Sequence, residues 1–266
     1  MSSDDDALDI LTPSAAMLPV LTGLRASLSR LGDIKTKSAP RVWDNIDFEG
    51  TACAMARFAL CEDGWANGEI PPDDVDANND LRHYLSTDLE IMSPDDLFER
   101  FRAIVDGAPL TREYRRIFKA PDVGRLLKDH MALGWGGFDV VQGNPAQQEL
   151  IRRRRMFVDY FRNDFDWARL RALELSRAAA LLEKAIYVEM VTPADIFTHR
   201  QRIASEALAR FASWNAYARA TLCARTFEGI EEGVTCARQR INSDEAILQG
   251  LLGGPWKAIN WPRVAP

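Results

Sequence analysis

Apolar residues recur at intervals of three and four along most of this chain, and no stretch alternates apolar with polar residues over a strand's length. Met17, Leu18, Leu21, Leu24, Leu28 and Leu31 set out the pattern. Such spacing puts one apolar stripe on each helix and none on a pleated strand, so the fold class it predicts is all-α, a multi-helix bundle. The pattern predicts helices over 14–31, 47–68 with breaks at Gly64 and Gly68, a short one after Pro71-Pro72-Asp73-Asp74, 93–105, 111–119, 121–133, 145–161, 165–190, 193–224 and 243–252. Pro19 is expected in the first turn of its helix, where a missing N–H costs little. Three glycines among Gly134-Trp135-Gly136-Gly137 predict a loop over 134–144.

Two helix starts are written in the same chemistry. Ser93-Pro94-Asp95-Asp96 and Thr192-Pro193-Ala194-Asp195 each place a hydroxyl cap before a proline, with acid in the first turn. Ser243 reads as a third cap. Ser213 and Trp214 read as mid-helix residues, with Phe211, Trp214 and Tyr217 in one aromatic stripe. The tail Pro255-Trp256-Lys257-Ala258-Ile259-Asn260-Trp261-Pro262 is too proline-rich for a helix; it is expected to fold back and bury Trp256 and Trp261.

The organisation expected is a flexible acidic segment 1–13, an N-terminal helical part 14–78 and a main helical domain 79–266. Charge divides along the chain. Residues 1–100 hold 20 acids and 8 bases, and residues 101–266 hold 19 acids and 25 bases. Overall the formal charge is −6, which argues against nucleic acid as a partner. The run Arg152-Arg153-Arg154-Arg155 spans most of a helix circumference, so it reads as a solvated face or a contact with the acidic front. His199, beside Arg200 and Arg202, reads as part of another solvated face. The acids Asp73, Asp74, Asp76, Asp80 and Asp88 crowd one stretch and form a candidate surface for a basic partner.

Cys53, Cys61, Cys223 and Cys236 contain no C-x-x-C pair and lie beside no histidine at zinc-finger spacing, so no metal is expected. No apolar run reaches the roughly 18 residues of a membrane span. The start is acidic where a secretory leader needs bases. Free thiols in a cytoplasmic protein, away from membranes, are the expectation. Phosphate loops, dinucleotide fingerprints and nucleophile elbows are missing from the sequence, and no cofactor is expected.

Residues 52–60 and 172–180 echo each other at a spacing near 120. Arg57 aligns with Arg177, and each is followed by a proline-marked helix start. The echo reads either as a helix-pair pseudo-repeat or as chance likeness between Ala-rich helices.

Several motifs occur in a fixed order. Glu174 precedes Arg177 by three residues, and Ala178-Ala179-Ala180 and Thr192-Pro193 follow. Then come Phe211-Ala212-Ser213-Trp214-Asn215-Ala216-Tyr217 and the tail Pro255-Trp256…Trp261. In this order the chain resembles a bacterial family known as domain of unknown function 1266, over about residues 80–262. Leu173-Glu174 stands where that family usually has Trp-Asp, and Ala224 precedes Arg225 where it favours Gly. The resemblance implies a fold and a bacterial source; the family carries no assigned reaction.

Glu174 and Arg177 share a helix face and read as an ion pair that locks one helix, or as a carboxylate–guanidinium site; Arg171 could join them, and Arg57 is the echo's counterpart. Three functions follow. The first is a non-enzymatic bacterial protein that binds another protein, in its most specific form an immunity or neutralising protein for a basic antibacterial toxin domain. The second is a helical enzyme or toxin domain using a Glu/Arg cleft. The third is a structural component of an assembly.

Overall fold

The computed structural model describes residues 13–36, 38–40, 47–72, 74–121, 145–164, 170–259 and 261–263. The expectations for segment 1–12, for Asp73, for the helix over 121–133 beyond its first residue, and for the loop 134–144 lie outside these residues. Helices dominate what is described. They are α1 (Pro13–Asp33), α2 (Phe48–Glu62), α3 (Val75–His83), α4 (Pro94–Val105), α5 (Pro109–Lys119), α6 (Pro145–Phe161), α7 (Arg171–Tyr187), α8 (Pro193–Arg210), α9 (Trp214–Gly229), α10 (Val234–Gly253) and the single turn α11 (Pro255–Ala258). A wide helical turn, Tyr84–Asp88, continues α3. The strand pairing among the described residues is one parallel ladder of β1 (Ser38–Pro40) and β2 (Trp261–Arg263).

Helix α7 is the axis of the molecule. Thirteen of its first fifteen residues are buried, on every side of the helix, and its charged residues are partnered. A helix without a polar face has to be surrounded, and α2, α4, α8 and α9 pack around it. The alanines at 178–180 allow this, because small side chains bring neighbouring helices close. On the far side, α1 packs against α6, α9 and α10. One contiguous apolar core runs from Met17 to Trp261.

The cap chemistry at Ser93 and Thr192 is formed. Ser93 Oγ accepts from Asp96 N at 3.3 Å, and Asp96 returns a bond to Met92 N. Thr192 and Asp195 make the full reciprocal box. Other expectations need correction. The stretch 193–224 is two helices, because Phe211 is extended and Ser213 caps α9 by accepting from Ala216 N at 3.1 Å. Ser243 lies inside α10 and donates to the Arg240 carbonyl, so it caps nothing. Pro19 sits inside α1, whose start reaches Pro13. The tail does make a helical turn at Pro255–Ala258 before its strand. The four consecutive arginines meet neither open solvent throughout nor the acidic front. Arg153 pairs with Glu149, Arg154 with Glu231 and Arg155 with Asp159. His199 is half-buried rather than solvated: it stacks on Phe98 at 4.6 Å and meets Phe101 edge-on.

Candidate functional site

Glu174 and Arg177 do not pair, although they share a helix. Glu174 is 3% exposed and points to the start of α5. Its carboxylate accepts from Leu110 N at 2.8 Å, Thr111 N at 3.2 Å, Thr111 Oγ1 at 2.7 Å and Arg171 Nη1 at 2.9 Å. It thereby caps a helix on which Ala108, the residue at the N-cap position, offers no side-chain acceptor. Arg171 completes the joint: it donates to the Ile104 and Val105 carbonyls at the end of α4 and to Glu206. A carboxylate with four donors is a structural pin, and no lone pair is left for chemistry.

Arg177 turns the other way. Its Nη1 and Nη2 donate to the two oxygens of Glu228 at 2.7 and 2.8 Å. Arg225 joins the same carboxylate through Nη1 at 2.6 Å, and its Nε lies against Glu62 and near Asp244. The contact of Glu62 Oε1 with Arg225 Nε is close, yet neither atom has an aligned hydrogen bond. These groups border a cleft of about 360 Å³ lined by α2 (Ala59, Glu62, Asp63), α4 (Arg100, Ile104), α7 (Arg177, Ala180, Leu181, Lys184), α9 (Arg225), and Tyr84 and Leu89. Lys184 reaches Asp63 at 2.6 Å and lies over the Tyr84 ring.

The electrostatics of the cleft separate its carboxylates. Burial raises Glu62 to about 7; the Arg225 and Arg177 charges oppose this, and Asp244 and Glu228 add to it. Burial likewise raises Asp244 to about 6, against Arg225 and Arg240. Burial also pushes Glu228 up, but the hydrogen bonds and charges of Arg177 and Arg225 overcome that and hold it near 2. For Glu62 the folded protein holds a proton that the unfolded chain has already released, so stability falls as pH rises from the ordinary carboxylate range to about 7. Glu228 acts in the opposite sense: its contribution is present above the ordinary range and lost as pH falls toward about 2. A Glu62→Gln variant is therefore expected to be the more stable protein at pH 8, by on the order of 2 kcal/mol, and to have a flatter profile between about pH 5 and 7. Urea midpoints across that range check this; a variant less stable at pH 8 contradicts it.

The five aromatic residues form one buried cluster. Trp214 stacks on Trp256 at 4.8 Å and meets Trp261 edge-on at 4.6 Å, while Tyr217 touches both tail indoles and Phe211. Every polar handle in it is used. Trp214 Nε1 donates to Ile259 O, Trp256 Nε1 to Ala54 O and Trp261 Nε1 to Phe211 O. Tyr217 OH donates to Ala172 O. Asn215 ties the end of α1 through the Leu31 and Ile34 carbonyls. The motif over 211–217 thus joins α1, α7, α8 and the tail.

Arg57 belongs to neither arrangement. It bonds Glu69 at 2.7 Å in a second cleft, between α2 and α7, with Glu183 and Tyr187. Arg57, Glu174 and Arg177 therefore serve three separate places. Asp74, Asp76, Asp80 and Asp88 are exposed on α3 and the turn after it, and Asp74 also caps α3 through Ala77 N. The four thiols are free. Burial drives Cys53 up to about 12, which leaves it protonated and unreactive.

A family model described as a protein of unknown function, DUF1266, matches residues 84–261. The chain belongs to this family. A search of curated proteins and a search of solved structures found no match. In this DUF1266 chain the matched stretch supplies Arg100, Arg177, Lys184, Arg225 and Glu228 to the cleft, while Glu62 and Asp63 come from α2, before it. Of the motif residues, Glu174, Ser213, Trp214, Tyr217 and the tail indoles hold the fold, and Arg177 and Arg225 face the cleft. Sequence reasoning missed Glu62, Glu228 and Asp244. The spacing of Arg225 to Glu228 was the one local signal; Glu228 lies 51 residues from Arg177. No described helix is long and apolar enough to cross a membrane.

Proposed function

We propose that this chain is a protein-binding protein of the bacterial cytoplasm, in its most specific form an immunity or neutralising protein that docks a basic toxin domain on the stretch 74–96. One observation supports the reading. Exposed Asp74, Asp76, Asp80, Asp88 and Asp95 share this stretch with Val75 and Met92, which are 71% and 74% exposed, more than Leu18 or Phe197 elsewhere. Apolar anchors set among like charges suit a docking surface: the carboxylates steer a basic partner and the apolar groups hold it.

The test starts with crosslinking in native cells and identification of the captured protein. The purified pair is then titrated at about 50 and 300 mM salt, around the range where the Debye length falls below 10 Å. Affinity is expected to weaken at least tenfold with salt, and again in an Asp80→Lys/Asp88→Lys variant whose melting temperature is unchanged. Affinity indifferent to both changes refutes the reading.

A helical enzyme or toxin domain is the second reading, and one observation favours it: the carboxylate that faces Arg225 in a cleft is Glu62, with a proton affinity suited to acid–base work near neutrality. A Glu62→Gln chain as toxic on expression as its parent removes that reading.

A further inference from the structure

We propose that the cleft between α2, α4, α7 and α9 binds a small organic oxyanion with an apolar body, and that Glu62 takes up a proton when it binds. This is independent of docking on the acidic stretch. The volume, about 360 Å³, is that of a small-molecule pocket. One part of its lining is apolar: Ala59, Leu89, Ile104, Ala180 and Leu181. Another carries the cations Arg100, Arg177, Lys184 and Arg225. Arg100 has no carboxylate within salt-bridge reach among the described residues. Arg177 is held flat by Glu228 through both terminal nitrogens, a guanidinium already oriented before a ligand arrives.

Like-charge repulsion supplies the proton coupling. Glu62 is faced by Asp63 on its own helix, by Arg177 and Lys184 from α7, by Arg225 and Glu228 from α9, by Asp244 from α10, by Arg100 from α4 and by the Tyr84 phenol. Asp244 stands behind Arg225 and is opposed by Arg240 as well. An oxyanion held by Arg177 and Arg225 would bring a second negative charge beside the Glu62 carboxylate in a partly desolvated cleft. A proton taken from solvent by Glu62 removes that like-charge repulsion. Glu62 is the carboxylate best placed to accept it, because its contact with Arg225 is misaligned and unbonded, whereas Glu228 is fixed by two arginines. Burial already favours its neutral form.

The probes are phenylacetate and phenyl phosphate, which share an apolar ring and an oxyanion and differ in the headgroup. Each is titrated into the purified full chain by calorimetry, in two buffers of different ionisation enthalpy. Saturable millimolar or tighter binding of at least one is expected, and the tighter probe identifies the headgroup. At about pH 8 the complex should take up close to one proton, and Kd should rise roughly tenfold per pH unit above neutrality. Arg100→Ala should weaken binding at least tenfold. Glu62→Gln should melt no lower than its parent and still bind, while losing the proton uptake and the pH slope. Failure of both probes to saturate, or a proton uptake unchanged in Glu62→Gln, overturns the proposal.

Discussion

Replacing Trp256 with alanine is expected to lower the melting temperature by roughly 10 °C. The indole is fully buried, stacked on Trp214, and bonded to the Ala54 carbonyl. Removing a buried tryptophan costs about 3–5 kcal/mol in lost transfer energy and cavity. In a chain of this length each kcal/mol moves the midpoint by about 2–4 °C. Trp256→Phe keeps a ring against Trp214 and should recover more than half of the loss. Deleting 255–266 removes Trp261 as well, along with the β2 partner of β1. The combined loss approaches the whole stability of an ordinary domain, about 5–15 kcal/mol, so the truncated chain is expected to show no cooperative transition. Calorimetry decides the matter. An unchanged midpoint in Trp256→Ala would mean that the tail is a docking peptide and not part of the core.

Replacing Glu174 with alanine is the second large loss, about 3–5 kcal/mol, because the charge of Arg171 would stay buried with one partner fewer and the first amides of α5 would lose their acceptor. Glu174→Gln keeps the shape and one acceptor oxygen, and should cost less than Glu174→Ala. Arg177→Ala should cost less again, since that side chain remains 36% exposed in the cleft. Chemical denaturation of the three variants gives the order. A milder loss in Glu174→Ala than in Arg177→Ala would return Glu174 to the list of functional residues and remove it from the structural ones.

The same pair shows how far the sequence could be read. Glu174 and Arg177 were recognisable as partners for opposite charges, since neither could be buried alone in a helix as apolar as α7. Which partners they take was not recognisable. Spacing places two residues on one helix face, but the other helices decide what stands in front of that face. Arg171 competes for Glu174 from one turn away, and the end of α4 and the start of α5 arrive from more than sixty residues away. Ser213 shows the same limit locally. A serine before an aromatic residue inside an apolar-periodic run is a helix interior or a cap, and the choice falls to the cap because Phe211 is held extended while its carbonyl receives Trp261.

Determined by the sequence alone are the all-α class, the helix starts at Ser93 and Thr192, the helix over 145–161 and the burial required of Trp256 and Trp261, because each follows from short-range sterics, capping or the cost of wetting an indole. Only the tertiary structure decided that Glu62, Arg177, Arg225, Glu228 and Asp244 meet beside one cleft. They come from four helices and up to 182 residues of chain separate them. Packing around α7 sets their distances, and no local pattern encodes a distance of that kind.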